Sequence, residues 1–138
     1  MNESEVKAGI ERAIAQLFGN QPDIFDFTSE TGQTEWNLAH HLAVEIHRCF
    51  PSFDCDLDVI KRNYENRRPD MVLHKRGTHK LNFLVVEIKL DGNRAAIEED
   101  IEKIREYWFR EPLHYEFGAV VSLRTDLRHG VSVLTNAV

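Results

Sequence analysis

Apolar residues recur at helical spacing from the start of the chain, where Val6, Ile10, Ile14 and Leu17 lie three or four residues apart and predict an amphipathic helix. Asn2 stands three residues before Glu5, a capping-box-like start, and Gly19 and Asn20 end the pattern. The stretch from 20 to 33, rich in Gly, Asp, Thr and Ser with Pro22, reads as a loop. Leu38, Leu42, Ile46 and Cys49 mark a second helix within 31 to 50, ending before Pro51. At Asp54 the period falls to two: Cys55, Leu57 and Val59 share one face and Asp54, Asp56 and Asp58 the other, the pattern of a half-buried strand. Residues 70 to 75 and 81 to 90 form two further strands around a short segment containing Gly77, spaced for an antiparallel hairpin, and the second is apolar enough to be central. Ile97, Ile101, Ile104 and Trp108 define a third helix of about four turns, ended by Pro112. Residues 115 to 123 read as a buried strand and 131 to 135 as a weaker one at a sheet edge. The order α-α-β-β-β-α-β-β is that of an α/β protein.

Length sharpens this picture to one domain spanning 1 to 138, too short for an eightfold α/β barrel. With 42% hydrophobic and 29% charged residues the chain is neither disordered nor fibrous. Its net charge of −6 argues against a polybasic nucleic-acid coat, so any binding to phosphates must be local. The two cysteines, Cys49 and Cys55, are too few for a zinc knuckle and suit a reducing compartment. The first eighteen residues mix charges into every turn, so neither a signal peptide nor a membrane span is expected, and the expected location is the cytoplasm.

Three carboxylates stand out chemically. Glu35 points in the same direction as Leu38, Ala39, Leu42 and Ile46, so it needs a basic side chain, a hydrogen-bonded terminus or a cation as partner, unless a first-turn position holds it near the surface. Glu87 and Lys89 project from one face of the central strand about 7 Å apart, with Ile88 on the other. Asp70 opens the neighbouring strand directly after Pro69, whose missing N–H belongs at a strand start, and hairpin pairing brings it toward Glu87. Two carboxylates and an amine at one sheet end are what metal-assisted phosphodiester hydrolysis requires: hard oxygen ligands, open positions for water and phosphate, and a group that orients or deprotonates the water. Whether Lys89 is the base or the positioner stays open.

The run Arg68-Pro69-Asp70, a gap of sixteen residues, then Glu87-Ile88-Lys89, with a Glu35-bearing helix before it and an Ile-rich helix after it, resembles the PD-(D/E)xK nuclease superfamily over residues 31 to 123. The resemblance implies a restriction-endonuclease-like core, a central mixed sheet of four to five strands flanked by helices. It also implies that Asp70 and Glu87 bind Mg²⁺ or Mn²⁺, with the Ile88 carbonyl as a further ligand, Glu35 as an auxiliary ligand and Lys89 as the amine assisting the attacking water. Where some branches of that family carry Gln-x-x-x-Tyr on the following helix, this chain has Lys103 and Tyr107.

Charge is distributed in keeping with that reading. Residues 61 to 80 hold seven Lys or Arg against Glu65 and Asp70, a local excess of five positive charges, while the rest of the chain sums to −11. Arg67, Arg68, Lys75 and Arg76 are the candidate nucleic-acid contacts; the same pattern also suits a solvated hairpin with edge-protecting charges. Asp54, Asp56, Asp58 and Glu65 match a calcium-loop template in spacing, but Val59 replaces its turn glycine and the alternation demands a strand. His40, His41, Glu45 and His47 lack H-E-x-x-H spacing, and Glu98, Glu99, Asp100 and Glu102 read as the solvated face of their helix. The expected activity is therefore a metal-dependent nuclease, on DNA rather than RNA, as a homodimer or a subunit of a larger assembly; the alternative is a noncatalytic DNA-binding or assembly subunit that retains the fold.

Overall fold

A computed structural model describes residues 1–26, 34–57 and 69–137, the side chains of residues 34 and 35 excepted. Helix α1 (Glu3–Asn20) starts at Asn2, whose Oδ1 accepts the Glu5 N–H at 2.9 Å and satisfies one of the orphan donors of the first turn. Helix α2 (Thr34–Cys49) packs against α1, and Val6, Ile10, Ile14, Leu38, Leu42 and Ile46 are fully buried between them and the sheet. The strands are β1 (Asp54–Leu57), β2 (Met71–His74), β3 (Leu84–Leu90), β4 (Phe117–Leu123) and β5 (His129–Thr135), and they lie side by side in chain order. Every neighbouring pair is antiparallel except β3 and β4, which are parallel and joined through helix α3 (Arg94–Lys103). The expected mixed sheet is therefore present with five strands, and β3 is its centre.

Two cores form because the pleat alternates. Leu84, Val86 and Ile88 of β3, with Met71 and Leu73 of β2 and Ala119 and Val121 of β4, face α1 and α2. Val72, Val85 and Val120 face the other way, onto Ile104, Trp108, Leu113 and Tyr115. Covered on both faces, β3 has to be a near-continuous apolar run, which makes its Glu87 conspicuous.

The third helix departs from the expected four regular turns. It is α-helical only to Lys103 and continues as one π-helical turn over Ile104–Trp108, closed by the Phe109 N–H donating to the Ile104 carbonyl at 2.9 Å. Gly118 of β4 admits this close approach, since a Cβ there would lie 2.4 Å from Ile104 Cγ2. Its inward face also differs from the expectation: Ile97 and Ile101 are only partly buried, whereas Asp100, expected on the solvated face, is 2% exposed. The physical reason is charge pairing with two lysines, described below. No helix among the described residues is long and apolar enough to cross a membrane.

Candidate active site

Strand register carries Asp70 to Glu87. The last β2–β3 pair is Met71 with Val86, so one step further sets Asp70 across from Glu87, on the face shared by Val72 and Val85. β2 begins only at Met71, and the Asp70 carboxylate takes up the ladder there: its Oδ2 accepts the Ile88 N–H at 2.6 Å. In an extended strand a residue's N–H and C=O point to the same side, so the Ile88 carbonyl is also directed to the β2 edge.

Glu87 is 5% exposed, and its carboxyl is pushed up to about 8, first by burial and then by the charge of Asp70. Asp100 adds to the rise, while Lys103 and Lys89 oppose it. Lys89 follows on the same face of β3, and its Nζ lies 3.3 Å from Asp100 Oδ2. Lys103, one turn along α3, places Nζ 3.4 Å from Asp100 Oδ1. Burial works against the Lys103 charge, but Glu87 and Asp100 outweigh it and hold the ammonium above the ordinary lysine range. Three carboxylates and two ammonium groups thus meet where the C-terminal half of β3 passes under α3.

Of the residues singled out from sequence, the fold brings together Asp70, Glu87, Ile88 and Lys89. Glu35 lies at the start of α2, but its side chain is outside the described residues, as are Arg67 and Arg68. Lys75 and Arg76 follow β2 at its other end, about 17 Å from Asp70 at the rise of a strand. Lys75 Nζ stands 6.0 Å from the centroid of the Phe53 ring, and Arg76 grips Asp56 with Nη2 at 2.6 Å and Nε at 3.0 Å. The positive charge of the hairpin tip is thus partly neutralised and remote from the acid pair.

Asp100 was not legible as a site residue, and Lys103 stood out only as the residue in place of the motif glutamine. Asp100 stands about 60° round the helix from Ile97, on the flank of the apolar stripe, and only that proximity hinted that it faces inward. A second polar group was missed as well: buried His74 donates from Nε2 to Asp56 Oδ2 at 2.6 Å, and Arg76, against a burial cost and helped by His74, lowers the Asp56 carboxyl to about 2.

The donor set at Asp70 and Glu87 suits a small hard cation. Among the described residues no three His, Cys, Asp or Glu side chains group closely enough to hold a metal unaided. Mg²⁺ takes one or two carboxylates and completes its shell with water and substrate oxygens, which two acids and a backbone carbonyl allow. A cation would also relieve the repulsion and desolvation that keep Glu87 protonated. Compared with family models, with curated proteins and with solved structures, the chain finds no match.

Proposed function

We propose that this chain is a metal-dependent nuclease that hydrolyses nucleic-acid phosphodiester bonds, with DNA preferred over RNA and Mg²⁺ or Mn²⁺ as cofactor, and that its core is restriction-endonuclease-like. The observation that carries the reading is the convergence of Asp70 and Glu87 on one face of the sheet with Lys89 beside them. Asp70, Glu87 and the Ile88 carbonyl would hold the ion, with Glu35 as an auxiliary ligand. Bound there, the cation supplies neutralising charge to the phosphate and acidity to a water. The chain's own residues do the rest. Glu87 would release its proton to solvent on taking up the ion, Asp70 is oriented by the Ile88 N–H, and Lys89 would orient the attacking water from the same strand face.

Cutting both strands of a duplex takes two such sites, so a homodimer or a larger assembly belongs to the same proposal. The cytoplasm suits it, since Cys49 and Cys55 are both free thiols. The noncatalytic alternative is favoured by one observation, that Lys89 is engaged by Asp100. Incubating the protein with duplex DNA and with RNA, in Mg²⁺, Mn²⁺ or EDTA, separates the two. Metal-dependent cleavage, lost in Asp70→Asn and Glu87→Gln with the circular-dichroism spectrum retained, is the expected result. No cleavage of either nucleic acid with either metal overturns the nuclease reading, and duplex binding that persists without cleavage supports the alternative.

A further inference from the structure

Charge in the site is divided. Asp70 and Glu87 form an acidic half on the β2 side, whereas Lys89 and Lys103 form a basic half on the α3 side, each ammonium on a different oxygen of Asp100. Asp100 is 3% exposed in its side chain, while Lys89 and Lys103 are 35% and 40% exposed. A buried anion thus lies beneath two accessible cations. Its Oδ2 receives no hydrogen bond among the described residues, the 3.3 Å approach of Lys89 being an ion pair only. Two positive charges on one carboxylate leave a net positive charge at the surface, next to the place where a cation fits. That pairing of a cation seat with an anion seat matches a phosphodiester, whose non-bridging oxygens need a counter-charge besides the metal.

Resting on the nuclease reading, we propose that Lys103 holds a phosphate oxygen of the nucleic-acid substrate and that Asp100 is a positioning residue that fixes Lys103 and Lys89 beside the acid pair. Lys103 reaches the site from α3, so it adds a contact that the strand residues do not supply. Asp100 acts through the two lysines and touches no substrate.

Equilibrium binding of a short labelled duplex in EDTA, across a series of KCl concentrations, tests the first part without cleavage. Lys103→Met is expected to weaken binding and to flatten the slope of log K against log salt by about 0.9, the value for one phosphate contact. Lys103→Arg restores the slope because it keeps the charge. Lys7→Met, on the exposed face of α1, serves as the control that leaves the slope unchanged. An unaltered slope in Lys103→Met overturns the phosphate contact. Kinetics in Mg²⁺ test the second part. Asp100→Asn removes a negative charge, so a purely electrostatic role predicts equal or tighter binding with kcat intact. Positioning instead predicts kcat lower by at least about tenfold with KM unchanged or lower, and no further loss when Lys103→Met is combined with it. Wild-type kcat in Asp100→Asn overturns the positioning role. Should the wild-type protein cut nothing, the nuclease reading fails by itself, and the salt slope still decides whether Lys103 meets a phosphate.

Discussion

Glu87 makes the stability of the chain depend on pH in a direction opposite to that of most carboxylates. Its folded-state pKa is raised from the ordinary 4.5 to about 8. Between those values the unfolded chain has released the proton and the folded chain has kept it, so stability falls as pH rises. The contribution is fully present below pH 4.5 and is lost as pH passes through about 8. At about 1.4 kcal/mol per pH unit, the full span corresponds to about 5 kcal/mol, a large part of the stability of a small domain. Urea unfolding followed by circular dichroism, from pH 5 to pH 8.5 in EDTA, should show the wild type weakening relative to Glu87→Gln by a few kcal/mol. Asp70→Asn should make that loss shallower, because the Asp70 charge is the second cause of the shift. Excess MgCl₂ should restore stability at pH 8 by about 2.7 kcal/mol at a hundredfold excess over Kd, and far less at pH 5, where the proton competes for the same oxygens. Parallel curves for wild type and Glu87→Gln would refute the burial argument, and an Mg²⁺ effect that survives in Asp70→Asn combined with Glu87→Gln would refute the seat of the ion.

Three further outcomes test the surroundings. Arg76→Ala should let the Asp56 carboxyl titrate upward from about 2 toward the ordinary 3.8, read by NMR; the stability it now lends, present above pH 3.8 and lost as pH falls through about 2, then disappears. Gly118→Ala should lower the urea midpoint by an amount equivalent to about 1–3 kcal/mol, because the new methyl would meet Ile104 Cγ2 at 2.4 Å. Gly92→Ala brings a Cβ to 2.8 Å from Lys89 Cβ, so it should lower kcat by displacing the Lys89 stem while the duplex salt slope stays as in the wild type.

Much of this arrangement is written in periodicities. Three- and four-residue spacing fixed the inward faces of α1 and α2, and the two-residue alternation of β3 put Glu87 and Lys89 on the face opposite Ile88. Asp70 could be placed because a hairpin and a strand-opening proline constrain register together. Charge partners were harder to read, because they depend on which flank of a helix lies over which strand. Asp100 belongs by sequence to an acidic run, and only the seating of α3 over Lys89 turns it inward while Glu98 and Glu99 stay exposed. The basic excess of 61 to 80 shows the same limit, since a charge total has no address: Lys75 and Arg76 lie past the end of β2, and residues 61 to 68 lie outside the described residues. Asp70 and Arg76 lie at opposite ends of β2, a separation that the length of the strand alone already implies.

Glu87 finally sets stability against the proposed role as a metal ligand. Its cross-strand neighbour is Val120, 1% exposed, and Val85 precedes it on the same face, so the position favours an apolar side chain. A carboxylate there costs free energy at neutral pH whether it stays protonated or ionises, and such perturbed buried acids cluster at functional sites, as the proposed metal seat requires, and also in structural ion-pair networks. Glu87→Met keeps nearly the same volume and removes the ionisable group. It should raise the urea midpoint at pH 8 in EDTA by the equivalent of about 1–4 kcal/mol, abolish the stabilisation by Mg²⁺, and abolish cleavage. At pH 5 its advantage should shrink, since the wild-type carboxyl is neutral there. A Glu87→Met protein less stable than the wild type at pH 8 would mean that the carboxylate is well solvated or well paired in the folded chain, and the argument from burial to metal seat would fall with it.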